Sequence, residues 1–182
     1  TISSEPTVPA GPAKPVGVIF EQADRKKVSM QYGQGCVSRP DVTDLLLQPL
    51  HWDLTAPEPT VLIIHTHATE SYTKLPGQGY AQTTEYRTLD TQYNMVKLGD
   101  LLTELLQEAG ITVLHDRTLH DYPSYNSSYT NSRTSVEAYL QQYPSIRVVL
   151  DVHRDAIEPE KGRIIKAVAE IEGKTAAQVM II

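Results

Sequence analysis

The segment Val61-Leu62-Ile63-Ile64-His65-Thr66-His67 carries the clearest structural signal in the chain. Its first four residues are apolar without a break and mostly β-branched, and Pro59 stands just ahead of them. So short and so apolar a run predicts a strand buried on both faces of a sheet. The abrupt change to His-Thr-His places polar, metal-competent side chains at the carboxyl end of that strand. In open α/β sheets this is where ligands collect.

Downstream, residues 73–90 contain Pro76, Gly77 and Gly79 without periodicity and predict a loop over the strand ends. Tyr93 to Ala109 has helical spacing. Leu98, Leu101, Leu102, Leu105 and Leu106 share one face, expected to be core, and Lys97, Asp100, Glu104 and Glu108 lie mostly off it. Gly110 ends the helix. Ile111 to Leu114 predicts a second strand, ending at His115-Asp116. Residues 116–131, rich in Tyr, Ser and Asn, predict another loop. Thr134-Ser135-Val136-Glu137 has capping-box spacing and predicts a helix from there to about Tyr143, broken by Pro144-Ser145. Ile146 to Val152 predicts a third buried strand, ending in His153-Arg154-Asp155. Strand, helix, strand, helix, strand is a repeated crossover, so the fold class is α/β, with a mostly parallel sheet covered by helices. In residues 163–182, Ile165, Ala167, Ala169 and Ile171 alternate before a Glu172-Gly173-Lys174 turn and the run Gln178 to Ile182. This predicts a hairpin or a further pair of sheet strands.

Upstream the signals are weaker. Residues 1–15 carry four prolines among Ser, Thr and Gly and read as an arm or linker, with the folded domain at 16–182. Val18 to Phe20 suggests an edge strand, and Asp44 to Gln48 a helical turn stopped by Pro49. A chain of 182 residues suits one domain with a sizeable core. The formal net charge of −6 argues against nucleic-acid binding. Cys36 is the sole cysteine, so no internal disulfide forms, and no nearby histidine makes it a nucleophile. No apolar run approaches the ~20 residues that span a membrane. Thr1 opens in polar sequence rather than in a signal peptide. A soluble chain and the trimmed ectodomain of an anchored protein both fit.

Two strand ends carry the chemistry: His65-Thr66-His67-Ala68-Thr69-Glu70 and Asp151-Val152-His153-Arg154-Asp155. Imidazole and carboxylate are standard zinc ligands, and catalytic zinc keeps three protein ligands and an open position. His67 and Glu70 have His-x-x-Glu spacing, which lets a turn aim both at one metal, and His153 is the candidate third ligand. Asp151, Asp155 or a backbone carbonyl is placed to hold the far nitrogen of a ligand histidine. Polar strand termini without a metal remain the alternative reading. His51, His115 and His120 have no partner pattern and read as ordinary surface or loop histidines. Asp116 and Asp121 read as turn caps. Tyr122, Tyr125 and Tyr129 suit either stacking on sugar rings or a loop packed by its own aromatics.

At this point the residues resemble a family. His65 to Tyr72, Tyr93 to Asp100, His115-Asp116, Asp121 to Asn126, Asp151 to Ile157 and Ala177 to Met180 are similar to the stage II sporulation protein P family. They occur in its order across about residues 60–182. The resemblance implies the α/β fold of zinc-dependent muramoyl amidases. It implies a zinc enzyme that cuts peptidoglycan between N-acetylmuramic acid and L-alanine, with endopeptidase action on stem-peptide cross-links also credited to the family. It implies action during engulfment in sporulation, from a membrane anchor facing the cell wall at the septum. The implied partner is stage II sporulation protein D. His67 matches the first metal histidine and His153 the later one. Glu70 is the first choice for the acidic ligand. Asp90, closer to the helix start, is the alternative, with Glu85 a little earlier. His65 is expected behind the ligands or on the substrate side. The family continues past Met180 and carries its general-base glutamate there. This domain is therefore expected to lack its C-terminal part and to bind metal while hydrolysing wall poorly.

Two other classes compete with this enzyme. A non-catalytic wall-binding or partner-docking module predicts wall retention that ignores chelators. A zinc carboxypeptidase predicts release of single C-terminal residues.

Overall fold

The structure, a computed structural model, describes residues 51–154 and 168–181, with Gly35, residues 37–41, Asp44, Leu45 and Gln48. The expected arm at 1–15, the strand at Val18 to Phe20, Cys36, Asp155, Ile165, Ala167 and Ile182 lie outside the described residues. Of the expected turn at Asp44 to Gln48, Asp44 and Leu45 are helical.

The elements in chain order are β1 (Val61–Ile64), α1 (Met95–Glu108), β2 (Val113–His115), α2 (Ser128–Gln142), β3 (Val148–Arg154), β4 (Val168–Ile171), β5 (Lys174–Ala177) and β6 (Val179–Ile181). The main sheet has the order β2-β1-β3-β6. β2 and β3 flank β1 in parallel, with Val61 opposite both Val113 and Val148, and β6 joins β3 antiparallel. β4 and β5 form a separate hairpin.

The side chains of β1 alternate between two cores. Val61 and Ile63 pack with Val113, Val152 and the half-buried Leu102 and Leu106 of α1. Leu62 and Ile64 pack with Leu114, Ile146 and Tyr139 of α2. The sheet therefore has one helix on each face, as an α/β fold requires. All four β1 residues are buried, each worth roughly 2 kcal/mol in area removed from water.

Several expectations shift. α1 begins at Met95, because the Asn94 side chain accepts the Val96 N–H at 3.0 Å. It ends where Gly110 takes φ +84° and the N–H groups of Gly110 and Ile111 return to the carbonyls of Gln107 and Leu106. The leucine stripe is not all core: Leu101 and Leu105 are 46% and 62% exposed. The inward seam is Met95, Gly99, Leu102 and Leu106. Leu98, Leu101 and Leu105 each precede a seam residue by one position, about 100° round the axis, and Gly99 lets that other seam approach the strands.

α2 starts at Ser128, after a single 3-10 turn at Tyr125–Ser127, well ahead of the expected capping box. Thr134 is mid-helix, with its hydroxyl on the Thr130 carbonyl, and Glu137 pairs with Arg133 instead. β2 begins two residues later and ends one residue later than expected, at Val113–His115. β3 extends through His153 and Arg154, because these pair with Met180 and Val179 of β6. Val148, Val149 and Leu150 are only half-buried. The C-terminal segment forms the expected hairpin, and of the alternative pair of sheet strands only one joins the main sheet. Glu172 and Gly173, with φ of +51° and +74°, close the β4–β5 hairpin, and Val179–Ile181 adds a strand to the sheet. Among the described residues no helix is long and apolar enough to cross a membrane.

Candidate functional site

The chain leaves β1 towards β2 on one side and returns over β1 to β3 on the other. The strand order reverses at β1, so a crevice opens outside the carboxyl ends of β1 and β3. His65 and His67 follow β1, and His153 stands near the end of β3.

The turn after β1 is pinned at several points. The Thr66 N–H and hydroxyl donate to the two Asp151 carboxylate oxygens at 2.8 and 2.6 Å. The Glu70 N–H donates to the His67 carbonyl, which brings Glu70 back beside His67. The Thr69 N–H and hydroxyl donate to the two oxygens of Asp121 at 3.1 and 2.6 Å. Residues 69–71 then pair with 86–88: the Ser71 N–H reaches the Tyr86 carbonyl and the Thr88 N–H the Thr69 carbonyl, both at 2.8 Å.

This folding brings His67, Glu70 and His153 together. The His67 and His153 rings lie 5.4 Å apart, centre to centre, and His153 Nδ1 is 4.0 Å from Glu70 Oε2. All three residues are buried. His67 Nδ1 and Glu70 Oε2 have no hydrogen-bond partner, and an orphaned buried polar atom costs about 1–3 kcal/mol. Among the described residues no three His, Cys, Asp or Glu side chains form a ready metal-holding group. The donor types, two imidazoles and a carboxylate with polar atoms unspent, are those a divalent cation takes.

Burial, reinforced by His153 and Arg87, lowers the pKa of His67 and favours its neutral ring. Burial raises that of Glu70 against the pull of Arg154 and Arg87. Burial also acts to lower His153, but Asp151 and Glu70 outweigh it and raise the ring's pKa. The Asp151 carboxylate, though burial opposes its charge, is held below its usual range by His153 and Thr66. His153 Nε2 sits 2.9 Å from Asp151 Oδ1, off the axis of a good hydrogen bond but well within ion-pair range. Asp151 thus faces the far nitrogen of His153.

The other expected residues fall elsewhere. His65 is fully buried: its Nδ1–H donates to the Val152 carbonyl at 2.8 Å, and its Nε2 meets His115 Nε2 at 2.9 Å. Both nitrogens are engaged within the protein. Asp90 is exposed and caps the turn at Gln92, and Glu85 is exposed. His51 is exposed and His120 lies in a turn, but neither His120 nor His115, at the end of β2, is a surface histidine. His120 is buried against Asp116 at 3.0 Å, and burial holds the His115 pKa down to about 4. Asp116 does cap a turn, at Thr118, whereas Asp121 binds Thr69 and Arg87. Tyr122, Tyr125 and Tyr129 are exposed. Tyr125 stacks on His67 at 4.7 Å, Tyr129 meets the same ring edge-on, and the Arg87 guanidinium lies 4.8 Å from the Tyr125 centroid. Two of the tyrosines are thus packed around a site histidine. Arg87, Thr66, Thr69 and Asp121 had no local signal as site residues, since their meaning lies in partners distant along the chain.

A family profile for stage II sporulation protein P matches residues 15–182. Stage II sporulation protein P of Bacillus subtilis (strain 168) is 28% identical over 136 residues, covering 70% of this chain and 31% of that protein. The chain thus spans less than a third of the length of that relative. No solved structure matches it. With the profile matched over nearly its whole length, the chain belongs to the stage II sporulation protein P family.

Proposed function

We propose that this chain carries the zinc-holding part of a peptidoglycan hydrolase that cleaves the amide between N-acetylmuramic acid and L-alanine during sporulation. One observation carries the reading. His67, Glu70 and His153, the last distant along the chain from the other two, converge at the switch point of the sheet, and the buried His67 Nδ1 and Glu70 Oε2 have no hydrogen-bond partner.

His67, Glu70 and His153 would hold the metal. When bound, zinc supplies a Lewis acid for the scissile carbonyl and a source of hydroxide near neutral pH. The chain's own residues prepare that site. Burial favours a His67 ring with a free lone pair. Tyr125, stacked on that ring, shields one of its faces from water and restricts its rotation. Asp151 draws the Nε2 side of His153 and leaves Nδ1 towards Glu70. By the same reading the substrate is the wall itself, the partner is stage II sporulation protein D, and the protein works from a membrane anchor at the septum.

Elemental analysis of the purified chain beside His67→Ala and His153→Ala tests the reading. Zinc near one per chain, lost in both variants, is the expected result. Zinc retained by both variants overturns it. The reaction is then checked on the chain extended to the full length of its relatives. Purified wall should yield new alanine amino termini without new reducing ends. Release of single C-terminal residues would point to a carboxypeptidase instead.

A further inference from the structure

We propose that Arg87 is a positioning residue that holds one carboxylate oxygen of Glu70 and so presents the other to the metal, an inference that rests on the zinc reading above. Arg87 arrives from the loop that follows the site turn. Its Nη1 donates to Asp121 Oδ2 at 2.6 Å and to Thr69 Oγ1 at 3.1 Å, and its Nη2 to Glu70 Oε1 at 3.4 Å. Glu70 Oε1 is therefore taken, while Oε2, buried and unpartnered, lies on the His153 side.

Three further observations make this more than a surface ion pair. The Asp121 side chain is completely buried, so the guanidinium is anchored at its far end by a charge that has no other cation beside it among the described ion pairs. The same guanidinium lies against Tyr125, which stacks on His67, so one side chain supports two of the three proposed ligands. The backbone is also bent to deliver it. Tyr86 adopts φ +59°, a left-handed conformation that costs a non-glycine residue about 1 kcal/mol or more, and its carbonyl takes the Ser71 N–H next to Glu70. Arginine's planar fork addresses Asp121 and Glu70 from its two terminal nitrogens. Lysine offers one point charge and reaches one carboxylate at a time.

The test is a double-mutant cycle in zinc affinity. Zinc alone is titrated against a competing chromophoric chelator with the wild-type chain, Arg87→Lys, Arg87→Gln, Glu70→Gln and Arg87→Lys/Glu70→Gln. Thermal unfolding of each metal-free chain is recorded in parallel. Arg87→Lys keeps the charge beside Asp121 and should unfold near wild type, yet lose zinc affinity by roughly 10- to 100-fold. Combined with Glu70→Gln it should cost little more than Glu70→Gln alone, because the two residues act through one oxygen. If the two losses simply multiply, or if Arg87→Lys binds zinc like wild type, Arg87 serves only the fold and the proposal fails. Arg87→Gln extends the series, and if it does not fold the lysine cycle decides alone. A wild-type chain that binds no zinc overturns the metal reading and this inference together, whereas an unchanged Arg87→Lys beside a weakened Glu70→Gln removes this inference only.

Discussion

His65 and His115 meet Nε2 to Nε2 at 2.9 Å in a space that Gly99 of α1 leaves open. His65 Nδ1 donates to the Val152 carbonyl, its Nε2 faces His115 Nε2, and His115 Nδ1 in turn faces Asp100 Oδ1 at 3.2 Å. A Cβ on residue 99 would stand 2.2 Å from one of these nitrogens and 2.4 Å from the other. The helix, the two strand ends and the carbonyl just before His153 are thereby fastened at one point.

Gly99→Ala is therefore expected to destabilise the chain. Alanine gains about 1 kcal/mol in helix propensity, but overpacking costs roughly 1–3 kcal/mol, and the clash is with two buried rings rather than with a flexible tip. Urea unfolding of the variant should show a net loss. A gain would mean that the histidine pair is not seated as described.

Asn94 does two things: it accepts the Val96 N–H and donates to the Thr88 carbonyl, both at 3.0 Å, while buried. Asn94→Ala should cost about 1–2 kcal/mol for the cap, plus the penalty for the abandoned Thr88 carbonyl. Asn94→Asp keeps the cap but sets a buried carboxylate oxygen against the Thr88 carbonyl, so its unfolding midpoint should also fall below wild type.

Thr134→Ala separates the two readings of α2 by sign. As an N-cap, Thr134 would lose roughly 1 kcal/mol on truncation. Mid-helix and exposed, it should gain a few tenths of a kcal/mol. The structure requires the gain, and thermal unfolding reads it directly.

Asp116 carries a pH dependence. Burial opposes its charge, but hydrogen bonds from His120 and Thr118 prevail and hold its pKa at about 2. A carboxylate depressed in the folded state stabilises above its unfolded pKa, near 3.8. That contribution, on the order of 2 kcal/mol, is lost as pH falls through 2. Urea midpoints should decline between about pH 4 and pH 2, and Asp116→Asn should flatten that decline. An equal slope in the variant would show that other groups govern acid unfolding.

Asp151→Asn tests the outer support of the site. It keeps all three proposed ligands but removes the charge facing His153 and one acceptor of the Thr66 pair. Zinc affinity should drop by about 10- to 100-fold, with the metal still bound at high concentration. Undiminished affinity would show that Asp151 serves Thr66 alone.

Much of this was legible without coordinates, because short-range physics decides it. The unbroken apolar run at Val61–Ile64 admits little except a buried strand. Gly110 ends α1 because its φ suits the reversal, and the polar residues after two apolar runs fall at carboxyl strand ends in any parallel crossover fold. His67, Glu70 and His153 were legible as candidates by residue type and spacing. The start of α2 is hidden in the sequence because Thr134 to Glu137 has the spacing of a cap, while the residues that extend the helix to Ser128 are mostly polar and carry no apolar period.

The α/β class, most of the strands and turns, and the three candidate ligands thus follow from local patterns along the chain. Which leucines of α1 are core, the internal pairing of His65 with His115, and the contacts of Arg87 to Asp121 and Glu70 emerge only in the folded chain. These depend on contacts between residues as far apart as His65 and Val152, separated by 87 positions. Periodicity and capping act within a turn or two of chain, whereas the helix rotation imposed by Gly99 and the long-range ion pairs exist only once the strands are side by side.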